Sequence, residues 1–186
     1  MNLNITKRKV GAKSDVNHIR REGNVPAIVY AQGKVGDAVV VNGDELQAVF
    51  RKMKKGYLPT TVFTLKDEEN NQFEAIVKGI QYHPTTYKIL HMDFVRLIDD
   101  VKVNVKVPIQ CVGMAECTGI KLGGVLRQVI RQISVSCLPR DIPKDLVLDV
   151  RDLVMNQSHK LNKIAIPKGV KALCSLNEVV AVIVKR

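Results

Sequence analysis

Along much of this chain hydrophobic and polar residues alternate with a period of two, the pattern of strands whose side chains point to opposite faces in turn. The clearest stretch is residues 76–96, in which two apolar arms flank His83, Pro84, Thr85 and Thr86. A proline followed by two threonines suits a turn, so the stretch reads as a hairpin. In its second arm Leu90, Met92 and Phe94 fall on one face, with His91 and Asp93 on the other. The first face needs a core. The second needs water or a partner.

Before this hairpin, residues 25–30 and 38–41 read as short strands, and 60–65 and 73–80 as two more, joined by a turn over 67–71. Leu46, Val49, Phe50 and Met53 recur at helical spacing, predicting a helix of about three turns that ends near Gly56. Asn42 and Glu45, three residues apart, resemble its capping box. Residues 14–21 predict one or two further helical turns, capped by Ser14 or Asp15 and ending near Gly23. Residues 1–24 otherwise read as polar, basic and without apolar periodicity. About five short strands and one good helix in residues 1–96 suggest a small closed or partly closed barrel.

Beyond Asp99 and Asp100 the pattern is almost wholly β. Val101, Val103, Val105 and Val107 alternate with Lys102, Asn104 and Lys106, and further strands are predicted at 125–137, 145–150, 170–173 and 179–184. The expected fold is therefore mainly β with one or two helices: a barrel domain over residues 1–97 and a β-rich domain over 98–186. Gly123 and Gly124 before a β run predict a tight turn or bulge.

Composition changes this picture in one respect, charge. The chain of 186 residues carries a net charge of +11, which points to a polyanion, nucleic acid first and acidic membrane second. The surplus is densest near the start, where Lys7, Arg8, Lys9, Lys13, Arg20, Arg21 and Lys34 face only Asp15 and Glu22. The later cluster Arg51, Lys52, Lys54 and Lys55 could touch phosphate, but it complements a helix C-terminus more simply. No apolar run approaches a membrane span of roughly 20 residues, and MNLNITKRKV is no signal peptide, so a cytoplasmic protein is expected. Cys111, Cys117, Cys137 and Cys174 form no C-x-x-C pair and read as unpaired thiols of a reducing compartment.

Catalytic signatures are missing. Gly123-Gly124 lacks the spacing of a dinucleotide loop, and there is no phosphate-binding G-x-x-x-x-G-K-[ST]. His18, His83, His91 and His159 show no metal-ligand spacing; His91 and Asp93 would make a base and its orienter, but no nucleophile adjoins them. No cofactor, metal or small-molecule substrate is expected. Aromatics at 4% with no tryptophan are too few for the stacking platforms of common single-strand binders. What remains is a basic arm and β surfaces bearing Tyr30, Gln81, His91 and Asp93. Such groups suit the shallow minor groove of structured RNA, although each alone reads as an ordinary surface residue and a buried His–Asp pair that stitches a barrel is the structural alternative.

Taken in order, V-P-A-I-V-Y (25–30), I-Q-Y-H-P (80–84), H-M-D-F-V-R (91–96), V-P (107–108), K-L-G-G-V-L (121–126) and L-P-R-D-I-P (138–143) resemble one family over nearly the whole chain. It is that of bacterial ribosomal protein L twenty-five in its long, two-domain form, also called general stress protein CTC. The resemblance implies an N-terminal barrel that binds 5S ribosomal RNA in the large subunit, beside neighbouring ribosomal proteins. Its implied RNA-binding residues here are Arg8, Lys13, Arg20, Tyr30, Gln81, His91 and Asp93, and the basic residues Lys9, Arg21 and Lys78 are expected to join them. The chain departs from the family where Val16, Asn17 and His18 replace a Ser-Arg-Arg run, which predicts fewer phosphate contacts there, and where Ala31 replaces a glycine. A stress-related interaction protein of the same fold, working off the ribosome, is the competing expectation.

Overall fold

A computed structural model describes residues 1–31, 36–69 and 71–185. Lys34 of the basic tally and Asn70 of the predicted turn lie outside the described residues. The chain divides into two compact units, Met1–Val101 and Lys102–Arg186.

The first unit opens with β1 (Asn2–Lys7), α1 (Lys13–Arg21), β2 (Val25–Tyr30), β3 (Asp37–Val41) and α2 (Gly43–Lys52). It continues with a 3₁₀ turn at Leu58–Thr60, β4 (Val62–Lys66), β5 (Gln72–Tyr82) and β6 (Ile89–Arg96). The strands close a barrel in the order β1-β3-β2-β6-β5-β4. Pairs β1–β4 and β2–β6 are parallel; the other neighbours are antiparallel. Closure leaves no barrel strand unpaired at an edge among the described residues of this unit. Inward positions of every strand fill the interior: Leu3, Ala27, Val41, Phe63, Leu65, Ala75, Met92 and Phe94 are buried. Phe63 and Phe94 meet edge to face at 6.1 Å between ring centroids, a favoured aromatic geometry.

The predicted barrel is present, with one strand more than expected. Residues 2–7, within the stretch read as polar, basic and poor in apolar periodicity, form β1, because Leu3 and Ile5 alternate with Asn2, Asn4 and Thr6 and reach the core. Two apolar residues among polar neighbours were too weak a signal beside the run of charge after them. The helix at 14–21 starts one residue earlier, after Ala12, so neither Ser14 nor Asp15 is its cap. Asp15 sits in the first turn instead, its carboxylate accepting from Ala12 N–H at 3.2 Å. Asn42 does cap α2, its Oδ1 accepting from the N–H groups of Asp44 at 2.9 Å and Glu45 at 3.3 Å. The reciprocal half of the box is not formed: the Glu45 carboxylate accepts from Asn4 N–H and Asn4 Nδ2, tying α2 to β1. Arg51 and Lys52 close the last turn of α2, where a cation complements the helix dipole. The strand expected at 60–65 begins at Val62, Thr60 being held in the 3₁₀ turn.

The second unit holds β7 (Val103–Val112), the four-residue helix α3 (Thr118–Lys121), β8 (Gly124–Gln128), β9 (Gln132–Cys137) and β10 (Leu146–Asp149), then β11 (Ser158–Lys160), β12 (Lys171–Ala172) and β13 (Val179–Lys185). They form a sheet in the order β10-β7-β9-β12 and another in the order β11-β13-β8 around a shared core that includes Val107, Val135, Leu148 and Ile183. The single strand expected at 125–137 is two strands in different sheets. Between them Val129 and Ile130 N–H donate to Val180 O, and Gln128 Nε2 donates to Ile109 O, so the chain crosses from one sheet to the other. Gly123, at φ +87°, ends α3 in a conformation that favours glycine, and at Gly124 a Cβ would lie 2.6 Å from Gly119 O. All four cysteines are free thiols.

Candidate nucleic-acid interface

The outward face of the barrel follows from its register. Leu3 and Ile5 point inward, so Arg8, whose N–H donates to Ala38 O at 3.0 Å just past β1, is on the outward phase. Ala38 lies opposite Ile28, Ile28 opposite Asp93, and Asp93 opposite Gly79. One row therefore crosses four strands with Arg8 at one end, Asp93 near the other, and the small or flat residues Ala38 and Gly79 between and beyond. Two positions along, His91 lies opposite Gln81; two the other way, Tyr30 lies opposite Val95. Gly79 leaves room for Asp93 in this row, since a Cβ there would lie 3.1 Å from Asp93 Oδ2.

Within this face His91 Nδ1 donates to Asp93 Oδ1 at 2.9 Å, with the two side chains 16% and 38% exposed. That bond orients the ring and leaves Nε2 to accept a hydrogen bond, while Asp93 keeps acceptor capacity of its own. Burial pushes the Tyr30 phenol above its ordinary pKa, and the Asp93 charge adds to the rise, which places the two groups in one electrostatic neighbourhood. Between Val77 and Gly79 the pairing of β5 with β6 slips, so exposed Lys78 is the extra residue of a bulge. Bulges re-aim side chains beside functional surfaces.

The ten residues singled out from sequence separate into groups. Tyr30, Gln81, His91 and Asp93 share the outward face, with Lys78 at its bulge and Arg8 at its margin. Arg8 Nε is buried and has no hydrogen-bond partner among the described residues; such a donor calls for an explanation. Lys9, Lys13 and Arg21 stand exposed on the β1–α1 link and on α1. Arg20 is engaged within the fold: Nε and Nη2 donate to Leu90 O at 3.1 and 3.0 Å, and Nη1 to Asn17 Oδ1 at 3.4 Å. Lys7, counted in the basic surplus, pairs with Asp67 at 2.9 Å. That pairing raises the Lys7 pKa and lowers that of Asp67. The floor residues Ile28, Ala38 and Gly79 were not foreseen. Only the glycine left a trace in the sequence, as an interruption of an otherwise good strand.

Among the described residues no cluster of His, Cys, Asp and Glu would hold a metal ion, and no helix is long and apolar enough to cross a membrane. The fold and face define a two-unit β protein whose barrel carries a shallow, polar surface fringed with basic residues.

Comparison with known proteins gives that class a family. The model of the ribosomal L25p family matches residues 3–94, and that of the C-terminal domain of ribosomal protein TL5 matches residues 102–186. The chain is 42% identical over 186 residues, the full length of both chains, to large ribosomal subunit protein bL25 of Chlamydia trachomatis serovar L2. It is 40% identical to the proteins of that name from Chlamydia pneumoniae and Chlamydia caviae, again over all of both chains. The chain belongs to the ribosomal L25p family, in a form that carries the TL5-type second domain. This is a family of ribosomal proteins, not of enzymes.

Proposed function

We propose that this protein is a non-enzymatic constituent of the large ribosomal subunit that binds 5S ribosomal RNA through the outward face of its barrel. The observation that carries the reading is the register, which gathers Tyr30, Gln81, His91 and Asp93 on one shallow surface with Arg8 and Lys78 at its edges. The full-length likeness to proteins named for the large subunit supports the same assignment, and with it a place on cytoplasmic ribosomes.

Each group has a part that its chemistry suits. Asp93 accepts from base amino groups or 2′-hydroxyls, Gln81 donates and accepts, and His91 accepts at Nε2 while Asp93 holds its ring. Arg8, Lys9, Lys13, Arg21 and Lys78 supply charge to phosphates, which position the RNA without reading its sequence. A wide minor groove of A-form RNA is the surface that short side chains on a shallow sheet reach.

The test uses His91→Ala and Asp93→Asn in the full chain, with affinity for transcribed 5S RNA and melting temperature measured on the same samples. Losing a polar contact whose partner stays buried costs about 1–3 kcal/mol, roughly tenfold or more in Kd. The pair faces outward, so removal opens no core cavity and melting should move little. Lost stability with RNA affinity intact would show that the pair holds the barrel together and reads nothing.

A further inference from the structure

The β5–β6 hairpin ends in a turn that presents two tyrosines to solvent. Tyr82 is 52% exposed and Tyr87 78%. The turn is closely tied: His83 N–H donates to Lys88 O at 2.8 Å and Tyr87 N–H to His83 O at 2.9 Å. His83 Nδ1 accepts from the N–H groups of Thr85 and Thr86 at 3.3 and 3.2 Å. Tyr87 itself adopts φ 55°, a left-handed conformation that glycine and asparagine take easily and a bulky residue does not. A large aromatic is thus both exposed and held in a backbone conformation that it seldom adopts. Such an outlier is grounds for a functional hypothesis.

The surroundings point to the kind of ligand. Tyr82, Tyr87 and Lys88 line a recess of about 480 Å³ against Phe50 of α2, and an adjoining recess of about 270 Å³ shares Phe50 and Tyr82 and adds Lys54 and Lys55. Among the described residues no carboxylate lines either one. Aromatic faces bordered by cations are how single-stranded nucleic acid is held, bases stacking on rings while ammonium groups follow the phosphates. The tip adjoins the outward face along β5, since Tyr82 directly follows Gln81 and pairs with Ile89 just beyond the Gln81–His91 pair.

We propose that this tip is a second RNA contact, at which an unpaired nucleotide next to the duplex region stacks on Tyr87 and Tyr82 with its phosphates on Lys88, Lys54 and Lys55. The proposal rests on the 5S RNA reading and extends it from paired to unpaired RNA. Tyr87→Gly is the decisive variant, because glycine relieves the backbone strain and removes the ring, so the turn survives without its aromatic. The experiment measures Kd of the full chain for transcribed 5S RNA over a salt series, with melting temperature, for wild type, Tyr87→Gly, Tyr87→Phe, Tyr82→Ala and Lys54→Ala/Lys55→Ala.

Expected are a roughly tenfold weaker Kd for Tyr87→Gly and for Tyr82→Ala, wild-type affinity for Tyr87→Phe, and a melting temperature for Tyr87→Gly that is unchanged or higher. The lysine pair should flatten the salt dependence, which the tyrosine variants should not. Wild-type binding with both tyrosine variants within twofold of it would overturn the tip contact and leave the barrel face standing. Failure of the wild type itself to bind 5S RNA would overturn both. Intact RNA affinity with lost co-sedimentation on large subunits would assign the tip to a protein neighbour, which also overturns the proposal.

Discussion

Arg20 separates two accounts of the basic arm. The family resemblance makes it an RNA contact, whereas the structure gives its guanidinium to Leu90 O through two donors at 3.1 and 3.0 Å and to Asn17 Oδ1 at 3.4 Å. Leu90 immediately precedes His91, so this bond clamps α1 against the strand that bears the polar face. A buried hydrogen bond to a charged group is worth about 1.5–3 kcal/mol. Here two donors share one acceptor in a part-buried setting, so Arg20→Ala should cost about 1–2 kcal/mol. For a unit of this size that lowers the melting temperature by roughly 5–15 °C. Arg20→Lys keeps the charge but loses the planar fork, and should recover less than half of the loss. The assay is near-ultraviolet circular dichroism of tyrosine, since Tyr30, Tyr57, Tyr82 and Tyr87 all lie in the first unit. Melting within about 1 °C of wild type, with RNA affinity and salt dependence both reduced, would refute the clamp and make Arg20 a phosphate ligand.

Three further predictions follow from single features. His159 is buried on β11, and burial, assisted by Lys163, lowers its pKa below the ordinary histidine value. The unfolded chain therefore takes up the proton more readily, and the resulting stability is whole above about pH 6.5 and declines as pH falls through the folded pKa. Calorimetry should show the transition that tyrosine does not follow weakening from pH 7 to pH 5, less so in His159→Gln; equal pH dependence in both proteins would exclude His159 as the cause. Arg8→Ala/Lys13→Ala should flatten the slope of log K for 5S RNA against log salt by about 1.5, and an unchanged slope would remove the arm from the interface. A fragment of residues 1–101 should fold and bind 5S RNA about as well as the whole chain, and a folded fragment that binds much more weakly would draw the second unit into the RNA site.

What the sequence disclosed was whatever one face of one element decides. Met92 and Phe94 against His91 and Asp93 needed only the period of a strand, and Asn42 needed only its place before a helical repeat. What stayed hidden depended on distant partners. β1 is a strand because β3 and β4 are there to pair with it, and its two inward residues alone could not outweigh the charges that follow. Residues 125–137 form a continuous apolar-rich run, and only β13 and β7, from opposite ends of the second unit, show that it serves two sheets. Glu45 had a local role on offer and took a distant one on Asn4. In the interface, Tyr30, Gln81, His91 and Asp93 were legible one by one. Alternation put His91 beside Asp93, but the adjacency of Tyr30 and Gln81 to that pair was not legible, because it depends on a parallel β2–β6 pairing and on a bulge at Lys78 that resets the phase of β5. The strain at Tyr87 is likewise invisible until the turn is closed around it.

The central claim is that the barrel face recognises 5S RNA rather than polyanions at large, and a competition experiment tests it most directly. The full chain is bound to labelled 5S RNA at about 150 mM salt, where counterion-driven binding is already weakened, and challenged with unlabelled 5S RNA or with transfer RNA. Specific readout predicts that transfer RNA competes at least about a hundredfold less well. Equal competition by the two RNAs would mean that the charge of +11 binds phosphate and that the face formed by Tyr30, Gln81, His91 and Asp93 selects nothing.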